Sequence, residues 1–289
     1  MRLRTIVTDG QETAALVTAG GAVPLRALAE RTGTDWAGDL QSLLEREQVT
    51  ALRDWLAGPD APAARDLESL AVPLDRAGQA PLYRHPRKLW GIGLNYVEHA
   101  GDLAEVAPSE EPASFLKPDT TIIGPGDPIR LPPQSERVTA EAELGLVIDR
   151  RCKDVDEADA PGVVAGFTTV IDMTAEDILA RNPRYLTRSK SFDTFFSFGP
   201  ELVTVDEVDD VEALEVTTVH NDRVHRANVV ANMTFRPWWL VAFHSRVMTL
   251  LPGDVISTGT PGAVVIRPGD TATCRITGFT PLSNPVEAA

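Results

Sequence analysis

The apolar positions of this chain fall into short runs punctuated by Gly and Pro, and their spacing changes along the sequence. Residues 3–7 (LRTIV) and 13–19 (TAALVTA) read as strands, parted by the turn signals Asp9-Gly10 and Gly20-Gly21. Helical spacing follows. LRALAERTG predicts a helix that ends on Gly33, and LQSLLEREQVTALRDWLAG predicts another across residues 40–58. Residues 58–81, rich in Pro, Ala and Gly, mark a boundary. Beyond residue 84 the apolar runs shorten again: KLWGIGL, TTIIGPGDPIRLP, AELGLVID, GVVAGFTTVID, LEVTTVHND, DVISTG and ATCRITG predict a β-rich core. One helix is expected among them, in TFRPWWLVAFHSRVMTLL, with Thr234 near its cap, Pro237 in its first turn and Pro252-Gly253 as its stop. The pattern therefore predicts an α+β protein with a small N-terminal α+β domain (residues 1–80) and a larger, mostly β domain (residues 84–289).

Composition narrows the partners. The chain has 289 residues and a net charge of −15, so a nucleic-acid backbone and an anionic membrane surface are not expected to bind it. Cys152 and Cys274, the only cysteines, have neither metal-ligand nor redox spacing. With no signal-peptide pattern at the N-terminus and no apolar run of transmembrane length, a soluble cytoplasmic protein is expected.

The stretch TAEAELGLVID (139–149) places two acidic residues in a strand-like run. Alternation puts Thr139, Glu141, Glu143, Gly145 and Val147 on one face and Ala140, Ala142, Leu144, Leu146 and Ile148 on the other, the expected core face. Two readings stand. In one, the run is an edge strand and both glutamates are solvated. In the other they hold a hard divalent cation, which prefers oxygen ligands and needs a third. Asp172, at the end of the strand-like run GVVAGFTTVID, is the candidate. In GIGLNYVEHA, His99 lies three residues before Asp102, so the two would be neighbours on one helical face. They form either a surface pair or an oriented general base for activating water.

Taken in order, GLNYVEHA, FLKPDTTIIGPGDPI, AEAELGLVID, VAGFTTVID, KSFDTFFSFGP, LLPGDVISTGTP and RPGDTATCRITGFTPLSNPV resemble the fumarylacetoacetate hydrolase family across most of residues 85–285. The resemblance implies a rolled-sheet, mostly β catalytic domain, a homodimer, and one divalent cation held by Glu141, Glu143 and Asp172: Mg²⁺, with Mn²⁺ or Ca²⁺ as alternatives. It also implies a catalytic dyad at His99 and Asp102 and an active-site lysine at Lys190. Expected substrate contacts are Thr260 in TGTP, Tyr96 in GLNYVEHA, and Lys117 in FLKPD, which either reaches the pocket or lies at the surface.

The implied reaction is C–C hydrolysis of a 2,4-dioxo acid through a stabilised enolate. Isomerisation, decarboxylation or hydration of a 2-oxo acid are alternatives on the same site, and a metal-stabilised binding protein is the non-catalytic one. Several positions depart from the family pattern. The dyad carboxylate is Asp102 rather than Glu, Glu176 replaces the usual arginine, and Leu179 replaces the usual glutamine. These last two imply a different, less anionic acyl tail, unless Arg181, Arg184 or Arg188 substitutes. His220 and His225 are read as flanking a hairpin turn at Asn221-Asp222, His244 as a helix-face residue, Trp238 and Trp239 as packing, and VDEVDDVEALE as a solvated acidic run.

Overall fold

The computed structural model describes residues 1–97 and 108–289. Among them, one thirteen-stranded sheet dominates, and a five-stranded sheet packs against it. At the centre of the larger sheet lie two long antiparallel strands, Val138–Ile148 and Val164–Ala175. Every residue of both is buried. That rules out the edge-strand reading of TAEAELGLVID, because this strand has neighbours along both edges. Val164–Ala175 runs along one; Val255–Ser257 and Ala263–Ile266 share the other. Asp172 does not end its run either, since the strand continues to Ala175.

The two faces of this central pair are covered differently. Ala140, Ala142, Leu144, Leu146 and Ile148 join a core with Val216, Cys274, Ile276 and Leu282 of the smaller sheet and with Leu240 and Val241 of the helix Pro237–Val247. The opposite face, at Val147 and Val170, packs against Leu28, Leu43, Leu44 and Leu52 from the N-terminal helices. Burial of this kind contributes roughly 25 cal/mol per Å² of apolar surface removed from water.

The N-terminal residues belong to the same sheet. Arg2–Thr8 pairs with Gln11–Thr18 on one side and with Glu201–Thr204 on the other. The first helix, Leu25–Thr32, ends as expected, with Gly33 at φ 71°. The helix expected across residues 40–58 is two helices, Leu40–Glu45 and Gln48–Ala57, broken at Glu47, whose φ is 53°. The intervening Glu45, Arg46 and Glu47 are exposed, so no apolar stripe bridges the break. A short helix, Ala64–Leu70, lies within the Pro- and Ala-rich segment. The hairpin expected at Asn221-Asp222 forms, with φ 49° and 63° at those residues, the backbone that a two-residue primed turn requires. Among the described residues, no helix is long and apolar enough to cross a membrane.

Candidate metal and substrate site

Strand register, rather than any local motif, assembles the acidic cluster. In the antiparallel ladder Asp172 lies directly opposite Glu141, with Val170 opposite Glu143 and Thr174 opposite Thr139. Directly opposed residues share a face, so a single pairing brings Asp172 beside both glutamates. Ligand atoms of Glu141, Glu143 and Asp172 lie within 4.8 Å of one another.

Three buried carboxylates this close need compensation, because leaving charges unpaired in a low-dielectric interior costs several kcal/mol each. Two lysines supply it. Lys190 Nζ donates to Glu141 Oε2 at 2.8 Å and to Asp172 Oδ2 at 2.7 Å, while Lys117 Nζ donates to Asp172 Oδ1. Both ammonium groups are buried. Thr174 Oγ1 donates to Glu141 Oε1 at 2.6 Å, and Ser257 Oγ and the Gly259 N–H, at 2.5 and 2.8 Å, donate to Glu143 Oε2. Gly259 has φ 95°, and a Cβ there would lie 2.9 Å from both Asn95 Cβ and Ile92 O, so this donor requires glycine.

The electrostatics follow from these contacts. Burial, reinforced by Asp172 and Glu141, pushes the Glu143 carboxyl up to about 8. Burial would also raise Asp172, but Lys117 and Lys190 outweigh it and hold its carboxyl below the usual range. Burial alone would lower Lys190; Asp172, Glu141 and Glu143 override it and hold it above the ordinary lysine range. At Lys117 burial prevails over Asp172, and its value falls. The three carboxyl groups form an all-oxygen donor set, and a cation that displaces the Glu143 proton would gain a third anionic ligand. That suits a divalent cation.

The cluster opens on a cavity of about 420 Å³ lined by Glu141, Lys190, Thr139, Thr174 and Thr260 together with Ile92, Leu94, Phe115, Leu179 and Leu186. Gly91 shapes its wall. A Cβ there would meet the Phe115 ring at 2.2 Å, so glycine lets the ring lie 4.8 Å (centroid) from Lys190 Nζ. Leu94, also on the wall, has φ 56°, and strained backbone of this kind concentrates at functional sites. Asn95 fixes this turn to the Thr258–Gly262 loop: its Nδ2 donates to Thr258 O and Phe235 O, and its Oδ1 accepts from the Phe235 N–H.

The structure thus brings Glu141, Glu143, Asp172, Lys117 and Lys190 together, with Thr260 on the cavity wall. Tyr96 is wholly buried, does not line the cavity, and leaves its hydroxyl without a hydrogen-bond partner. His99 and Asp102 lie outside the described residues. Glu176 and Leu179 line the cavity, Glu176 paired with Arg137 at 2.6 Å. His244 is buried on its helix, bonded to Leu240 O and Ser114 Oγ. Thr174, Ser257, Gly259 and Asn95 were missed by sequence reasoning. For Thr174 a signal existed, since it shares the Asp172 face two residues on.

A model of the fumarylacetoacetate hydrolase C-terminal domain matches residues 88–287. The chain belongs to the fumarylacetoacetate hydrolase family. Over 212 residues, 70% of this chain and 66% of the other, it is 38% identical to a mitochondrial oxaloacetate tautomerase of Xenopus laevis. The structure of a 5-carboxymethyl-2-hydroxymuconate delta-isomerase from Mycobacterium smegmatis is similar over 100% of this chain and 99% of that one, with 32% identity and a TM-score of 0.76. A maleylpyruvate hydrolase from Sphingobium sp. SYK-6, solved with manganese(II) and pyruvate, is similar over 100% of both chains, with 26% identity and a TM-score of 0.80. The family thus contains hydrolases, isomerases and a tautomerase acting on small organic acids.

Proposed function

We propose that this protein is a divalent-cation-dependent enzyme acting on a 2-oxo or 2,4-dioxo acid, with C–C hydrolysis of an acylpyruvate-like substrate as its reaction. The observation that carries the reading is the buried Glu141–Glu143–Asp172 cluster, paired with two lysines where a cavity opens onto Glu141 and Lys190. These three carboxylates would hold the cation: Mg²⁺ is the first expectation, Mn²⁺ or Ca²⁺ the alternatives. Once bound, it would supply the positive charge that stabilises the enolate of a 2-oxo acid.

The remaining roles fall to the chain. Lys190, kept protonated by its carboxylate partners, offers N–H donors to a developing oxyanion. Lys117 holds Asp172 ionised and in place. Thr260 closes the pocket against substrate. His99, with Asp102, would take a proton from the attacking water. The homodimer and cytoplasmic setting expected from the sequence stay part of this reading.

A second reading, enol–keto isomerisation, is favoured by the similarity to the tautomerase and the delta-isomerase. It requires only proton transfer, with no water attack. Loss of the enol absorbance of acetylpyruvate, followed with Mg²⁺ and again with EDTA, separates the two. Metal-dependent loss yielding pyruvate and acetate supports hydrolysis, and loss without those products supports isomerisation. Full activity in Glu141→Gln at micromolar metal would sink the site assignment.

A further inference from the structure

The cavity has two chemically distinct ends. Strand register sets the distance between them: Asp172 faces Glu141, while Glu176 follows the rung at which Ala175 faces Val138. Three strand steps, roughly 10 Å at about 3.3 Å per residue, carry the chain from the Asp172 rung to Ala175, and Glu176 follows as the first residue of a helix. At the Asp172 end the wall is carboxylate, ammonium and hydroxyl. Past Thr174 the chain enters the helix Glu176–Arg181 and returns toward Lys190, contributing Leu179, Pro183 and Leu186 to the wall.

A second anionic group on the substrate finds no counterpart there. Among the described residues lining the cavity Lys190 is the one cation, and its Nζ is already shared between Glu141 and Asp172. The one charged group lining the far end is Glu176, and the Arg137 guanidinium beside it is already committed to that carboxylate at 2.6 Å. Residues 98–107 contain no lysine or arginine in their sequence. Arg181, Arg184 and Arg188 are exposed, and none lines the cavity. Burying a carboxylate tail without a partner is strongly unfavourable, whereas each CH₂ of an alkyl tail gains by leaving water.

We propose that the substrate of this site is a 2-oxo acid bearing an uncharged, apolar tail, selected by Leu179 and Leu186 against dicarboxylates. The inference rests on the carboxylate–lysine end being the head-group site. Once the head is seated there, the tail points toward Leu179 and Leu186, and chain length rather than terminal charge sets affinity.

The test is calorimetric binding of two 2-oxo acids that lack a cleavable 4-oxo group, each with Mg²⁺ present. 2-Oxohexanoate ends in an alkyl chain and 2-oxoglutarate in a carboxylate. Wild-type protein is expected to bind 2-oxohexanoate at least tenfold more tightly, and Leu179→Arg to reverse the order. Equal or tighter binding of 2-oxoglutarate by the wild type would overturn the tail inference while leaving the head-group reading intact. If neither acid bound in a Mg²⁺-dependent way, the head-group reading would fall, and the tail inference with it.

Discussion

The two faces of the strand Val138–Ile148 are equally buried and are built on opposite principles. On one, Ala140, Ala142, Leu144, Leu146 and Ile148 meet apolar residues of a second sheet and a helix. On the other, Glu141 and Glu143 meet Asp172, two lysines and hydroxyl groups. The apolar face tolerates any arrangement that fills space, because hydrophobic burial is non-directional. The charged face does not, because each buried oxygen or ammonium must find its partner at hydrogen-bond distance. One strand therefore carries both a source of stability and a site, separated only by side-chain alternation.

The sharpest way to break the comparison is to remove the charge on which both lysines converge. Asp172→Asn keeps the shape but leaves Lys117 and Lys190 under-compensated in a buried site. Breaking a buried pair costs about 3–5 kcal/mol. Urea denaturation should show a loss of that size, and metal affinity should fall with it. A loss below about 1 kcal/mol would mean that the pairing does not keep these lysines buried.

Leu144→Ala attacks the other face, three residues from Glu141. Cavity creation there costs about 2–5 kcal/mol. In contrast to Asp172→Asn, metal affinity measured under folded conditions should stay within about twofold, because the Leu144 side chain lies in the apolar core on the other face. If affinity fell by the tenfold or more that disturbed supporting contacts around a metal typically cause, the two faces would be coupled through the backbone.

The sequence made one half of this contrast readable. Alternation in TAEAELGLVID assigned Glu141 and Glu143 to one face, and the order of short motifs pointed to the family and to Asp172 and Lys190. Alternation could not say whether that face was wet, since an edge strand and a central strand share the same period. The answer lay in long-range pairing with residues 164–175 and 255–266. The same reason hid Ser257 and Gly259, which reach Glu143 from more than a hundred residues away, and Gly91, whose meaning appears only against Phe115. Residues 3–7 and 13–19 read correctly as strands, but the strand Gly21–Pro24 went unread, and nothing local announced that Arg2–Arg4 would pair with Glu201–Val203.

The smallest effect is expected where the same charge chemistry reaches solvent. Arg137 and Glu176 flank the ladder beyond the Ala175–Val138 rung, 2.6 Å apart, and their side chains are 55% and 26% exposed. An ion pair this wet is screened and contributes about 0–1 kcal/mol, less in high salt. Arg137→Gln should therefore shift stability by under about 1 kcal/mol, with the difference shrinking as salt is added. Its effect should instead appear in the cavity, where Glu176 would lose its counter-charge and repel a dicarboxylate more strongly than before. A stability loss comparable to that of Asp172→Asn would show that depth along the ladder does not govern the worth of these pairs. The distinction between a structural charge buried in the ladder and a solvated one beyond it would then fail.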